Sequence, residues 1–111
     1  MNATVSAEEI CRWALELPQV TKDLKWNSKL CFLLEGRIFL TVDLDAVPPR
    51  VVFKSEPEEC AQLLELPSVK QAPYLGRYHW LQGESPHVWD ESTWRKMTRQ
   101  SYRRVVAGFP P

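Results

Sequence analysis

The chain has 111 residues, enough for one domain that buries about two-thirds of the surface its unfolded form would expose, so no disulfide framework or structural metal is needed to hold it together. With 44% apolar and 25% charged residues it falls outside the disordered and fibrous classes, and fourteen basic side chains offset fourteen acidic ones, leaving no global field to draw it onto a polyanion or an anionic membrane. Any such attraction has to come from a local patch.

Ser6 with Glu9 three positions later is a capping box, and Ile10, Trp13, Ala14 and Leu17 recur at helical spacing until Pro18, which predicts a first helix. A connector, PQVTKDLKWNSK, leads to LCFLLEGRIFLTVDLD, where β-branched and aromatic residues flank Glu35-Gly36 and predict two strands with a tight turn. Pro48 and Pro49 interrupt the pattern before RVVFK, a third strand. Ser55 and Glu58 read as a second capping box for a helix whose apolar face is Cys60, Ala61, Leu63 and Leu64, ending at Pro67. After a loop shaped by Pro73 and Gly76, YHWLQ predicts a fourth strand with Tyr78, Trp80 and Gln82 on one face and His79 and Leu81 on the other. Asp90 then caps a long helix with Trp94, Met97, Tyr102, Val105 and Val106 on its apolar side. Strands grouped between helices predict one α+β domain over residues 1–111, an antiparallel sheet with helices packed on one face.

Four segments, LELPQVTKDLKWNSK, VVFKSEPEE, APYLGRYHW and SYRRVVAGFP, stand in the order and spacing of the MmcQ/YjbR-like family of small bacterial proteins. The chain resembles that family over nearly its whole length. The resemblance implies a CyaY-like fold, shared with frataxins, and a DNA-binding role; Trp26, Gly76, Trp80, Ser101 and Tyr102 match the family pattern, whereas Asn27-Ser28 departs from the glycine and proline that often follow Lys-Trp.

Three cysteines, Cys11, Cys31 and Cys60, are odd in number and set among apolar neighbours, as reduced thiols in a cytoplasm would be. MNATVSAEEI lacks the basic and apolar regions of a secretory signal, and LCFLL is far too short to span a bilayer, so an unanchored cytoplasmic protein with no membrane partner is expected. His79 and His87 belong to no nucleophilic constellation, and nucleophile elbow, P-loop and dinucleotide turn are absent, so the expectation is a cofactor-free binding protein rather than an enzyme. Metal handling of the frataxin kind would need an acidic ridge, and Glu8, Glu9, Glu16 and Asp23 are sparse for that purpose.

Nucleic acid is the sharper expectation. Arg95, Arg99 and Arg103 stand four apart in the last helix with Lys96 adjacent, against Asp90 and Glu91 alone. Lys25 and Lys29 flank Trp26, and Arg77 and His79 sit among Tyr74, Tyr78 and Trp80, the mixture of cations and rings that phosphate contact and base stacking require. The assigned contacts are Lys25, Lys29, Arg77, Arg95 and Arg99 to phosphates, Trp26 stacking and His79 facing outward, in a monomer or weak dimer. About five phosphates would give a log–log salt slope near −4 to −5 on duplex DNA. The alternative is an aromatic-lined groove in which Arg77 and Gln82 orient a planar small molecule or a partner protein's apolar anchor.

Overall fold

The computed structural model describes residues 5–25, 28–72 and 79–107. Its elements run α1 (Ala7–Leu15), β1 (Thr21–Lys25), β2 (Lys29–Leu34), β3 (Arg37–Asp43), β4 (Arg50–Lys54), α2 (Pro57–Leu63), β5 (Val69–Gln71), β6 (Trp80–Gly83), a 3-10 turn (Pro86–Val88) and α3 (Glu91–Ala107). Every neighbouring pair of strands is antiparallel, in the order β1-β2-β3-β4-β6-β5. The architecture is the α+β one expected, with two more strands than the hydrophobic pattern predicts. β1 lies within what reads as a connector, and β5 is a three-residue edge.

Strand parity decides which side chains meet the helices. Leu40, Val42, Val51, Phe53 and Leu81 project to one face and are wholly buried under α1 and α3, while Thr41, Val52, Trp80 and Gln82 alternate onto the other and are half-buried. β3 carries one extra residue, Phe39, between the pairs Phe32–Leu40 and Leu33–Ile38, so that Phe39 and Leu40 are both buried. Phe39 meets the edge of Tyr102 in α3 at 5.5 Å between centroids. Glu35 and Gly36 both adopt positive φ, 50° and 80°, in the two-residue turn that sets the register of β2 on β3.

Trp94 anchors α3. Its ring packs edge-on against Phe53 and Trp89, and its indole N–H donates to the Pro86 carbonyl at 2.7 Å. The space it needs is left by Gly83, where a Cβ would come within 3.2 Å of the Trp94 ring. Ser101, on the same helix face, reaches the sheet where β3 and β4 part after the Leu40–Phe53 pair. Its hydroxyl donates to the Phe39 carbonyl and accepts from the Lys54 N–H at 2.8 Å, replacing one rung of the ladder. Tyr102 donates to the Pro18 carbonyl at 2.9 Å and ties α3 to the segment after α1.

Two caps follow the sequence. Ser6 and Glu9 form the complete capping box of α1, and Asp90 accepts from the Thr93 N–H at 2.9 Å at the start of α3. The second capping box does not form. The N-cap of α2 is Glu56, which makes no side-chain cap bond, because the Ser55 hydroxyl donates instead to the His79 carbonyl across the sheet end. Val106, expected on the apolar side of α3, is exposed.

Candidate functional site

The five assigned residues that fall among the described ones do not converge. Lys25 and Lys29 are cross-strand partners at the β1–β2 end. Their parity is opposite to that of Phe32, so they stand on the sheet face away from the helices. Arg95 and Arg99 ride on α3, across the sheet from those lysines. His79, read as part of a regular strand, instead precedes β6 with φ 67°, and its carbonyl accepts both the N–H and the hydroxyl of Ser55. Trp26 and Arg77 lie outside the described residues, as do Tyr74, Gly76 and Tyr78.

Nor are the cations of the open face free as a group. Lys25 pairs with Asp23 at 3.2 Å, and Arg50 and Lys70 share the carboxylate of Glu84 at 3.4 and 3.1 Å. Lys54 lies 5.8 Å from the ring of Trp80, which is half-buried on that face.

On α3 the arrangement is different. A rotation of about 100° per residue puts Trp94, Met97, Thr98, Ser101 and Val105 toward the sheet and Lys96, Arg99 and Arg103 within roughly 60° of one another on the far side. The flanks between these two sides carry cations paired with carboxylates. Arg95 donates to Glu91 at 2.9 Å and to Glu16, at the end of α1, at 3.4 Å, while its guanidinium lies 4.8 Å from the Trp13 ring centroid. Arg104 on the other flank pairs with Glu56 at 3.8 Å, beside a Gln100–Glu59 contact. The outward ridge meets no helix, and among the described residues Lys96, Arg99 and Arg103 are exposed without an ion pair. On α3, then, Lys96, Arg99 and Arg103 face outward and Arg95 lies on the neutralised flank, while Lys25 and Lys29 stand on the other side of the sheet.

Arg77, which orients the ligand in the aromatic groove of the alternative reading, lies outside the described residues, as do Tyr74 and Tyr78. Trp13 and Trp94 are buried, and Trp89 packs against Phe53. A recess of about 540 Å³ between α1 and the β1–β2 edge is lined mainly by Cys11, Leu15, Leu30 and Leu44. Burial pushes the Cys11 thiol up to about 11 and raises that of Cys31, so both hold their protons at neutral pH. Among the described residues, no cluster of three or more His, Cys, Asp or Glu side chains is placed to hold a metal ion, and no helix is long and apolar enough to cross a membrane.

The fold and its surface define a class: a two-layer α+β domain with one helix-covered sheet face and an outward cationic ridge on its last helix. The chain belongs to the YjbR family, whose model matches residues 15–104. It is similar in structure to the Deinococcus radiodurans protein DR2400, whose crystal structure is described as a DUF419 domain, with a TM-score of 0.85 at 20% identity over 96% of this chain and 83% of that one. No curated protein matches it. Ser101 and Tyr102, two of the residues that carry the resemblance, both fasten α3 to the rest of the fold.

Proposed function

We propose that this protein binds DNA non-enzymatically through the α3 ridge, contacting phosphates with Lys96, Arg99 and Arg103. The observation that carries the reading is the absence of any carboxylate partner for these three cations among the described residues, in a molecule of zero net charge. The three side chains fall within eight residues, about 10 Å of helix axis, a length that can meet neighbouring phosphates of one groove wall. Lysine supplies a point charge and arginine a planar fork, and both suit phosphate oxygens. Phosphate contacts of this kind are sequence-tolerant and weak, with a dissociation constant on the order of 10⁻⁴ to 10⁻⁶ M at physiological salt.

Salt dependence tests the reading directly. Fluorescence anisotropy with a short duplex, repeated over a series of salt concentrations, should give a log–log slope near −3, since about three phosphates each release close to one counterion. A slope near zero would dismiss the ridge as a phosphate-binding surface.

A further inference from the structure

We propose that the outer edge of β1 is a self-association surface, on which two copies of the chain join their sheets antiparallel about a two-fold axis at Leu24. The inference goes beyond the DNA reading and does not depend on it, because β1 stands at one end of the sheet and the cationic ridge on α3.

The two ends of the sheet differ. β5 is a three-residue strand with Pro67 and Pro73 on either side in the sequence, which limits pairing there. β1 is five residues long, contains no proline, and meets no strand on its outer edge among the described residues. Such an edge offers its backbone N–H and C=O groups to a further strand. Apolar surface lies beside it. Leu24 pairs in register with Leu30 and so shares its helix-side face, and Leu30, Leu15 and Leu44 line the recess between α1 and the β1–β2 edge. Leu15, Leu24 and Leu44 are all large apolar residues that the fold leaves exposed.

Charge identifies the occupant as a second copy. A two-fold axis relating two antiparallel edge strands runs along the sheet normal, so it passes through one residue paired with its own copy and keeps the faces of the two sheets aligned. Centring on Lys22, Asp23 or Lys25 sets like charges directly opposite each other, which is destabilising. Centring on Thr21 brings Pro18 opposite Leu24 and interrupts the ladder. Centring on Leu24 joins two leucines on the helix side and puts Asp23 of each copy opposite Lys25 of the other on the open face. Within one copy Asp23 and Lys25 already meet at 3.2 Å, so the two copies close a ring of four alternating charges. The strand is complementary to itself in that one register. α1 and α3 of both copies then lie on the same side of the joined sheet, and the two recesses meet at the leucine pair.

Sedimentation equilibrium on the whole protein, over concentrations from about 10 μM to 1 mM, reads the association, since a short edge and one leucine pair lie at the weak end of specific interfaces. A monomer–dimer equilibrium is expected. Asp23→Lys and Lys25→Glu, taken singly, each turn two opposite-charge pairs into like-charge pairs and should weaken the dimer about tenfold. An equimolar mixture of the two variants restores both cross-strand pairs and should associate within about threefold of the unmodified protein. Recovery in the mixture is specific to this register and also shows that both variants are folded. A monomer throughout the series, a dimer unaffected by either single substitution, or a mixture no more associated than its components would each overturn the proposal.

Discussion

The α3 ridge and the open sheet face are both rich in cations, yet they differ in what lies between those cations. Across the sheet, acidic residues are interleaved with basic ones: Asp23 shares a face with Lys25, Asp43 stands between Lys29 and Arg50 in register, and Glu84 bridges Arg50 and Lys70. Along the ridge, residues three and four apart are neighbours, and the charged residues that the sequence places there are Lys96, Arg99 and Arg103. A sheet brings side chains from distant parts of the chain side by side, so its charge pattern is decided by register. A helix face is decided by local spacing alone. The difference teaches that a count of basic residues says little about a polyanion site until the intervening carboxylates are placed.

The hardest way to break this contrast is to detach the ridge from its platform. Trp94→Ala removes a wholly buried ring, its contacts with Phe53 and Trp89 and its bond to Pro86, and should cost about 3–5 kcal/mol. Since whole domains are stable by only about 5–15 kcal/mol, urea denaturation should show a midpoint shifted far toward zero. Charge reversal comes next. Arg99→Glu/Arg103→Glu should weaken duplex DNA binding by roughly a hundredfold, whereas Lys25→Glu/Lys29→Glu on the far face should change it by less than about threefold. Equal losses from the two double variants would erase the distinction between the regions.

A smaller effect is expected where α3 enters the sheet. Ser101→Ala leaves the Lys54 N–H and the Phe39 carbonyl without the hydroxyl that joins them, at a cost of roughly 2–3 kcal/mol, and amide hydrogen exchange at Lys54 should accelerate. Mildest of all is the effect of acid on the cap of the ridge helix. The Thr93 N–H holds the Asp90 carboxyl below its ordinary value of 3.8, so the folded state binds this proton less tightly than the unfolded chain. Its contribution is therefore complete above that ordinary value and lost as pH falls through the lowered one. Thermal melts of Asp90→Asn, which keeps a capping oxygen, should show a slightly smaller drop below about pH 4 than those of the unmodified protein.

Much of the fold is legible in the residues because local patterns and burial agree. Alternation in LCFLLEGRIFLTVD gives β2, β3 and their turn, and helical spacing around Trp94 gives the buried side of α3. β1 escapes notice because four of its five residues are exposed: an edge strand held by backbone bonds to β2 need show no apolar alternation. β5 is too short to carry a pattern. Ser55 satisfies a capping motif yet spends its hydroxyl on a carbonyl 24 residues away, a competition that no local rule anticipates. A signal for the division of the basic residues did exist. Lys29 lies three positions from Phe32, an odd step along a strand, which already puts it on the face opposite the core.

By itself the sequence determined the class of fold, the family and the cationic ridge of α3, because each rests on spacing within an element or on motifs in order along the chain. Only the tertiary structure decided which cations are answered by carboxylates, that Lys25 and Lys29 stand across the sheet from Arg95 and Arg99, and that Leu15, Leu30 and Leu44 meet at one recess. The physical reason is that neutralisation and burial are relations between elements, set by the packing of α1 and α3 on the sheet, and elements 80 residues apart carry no local trace of each other.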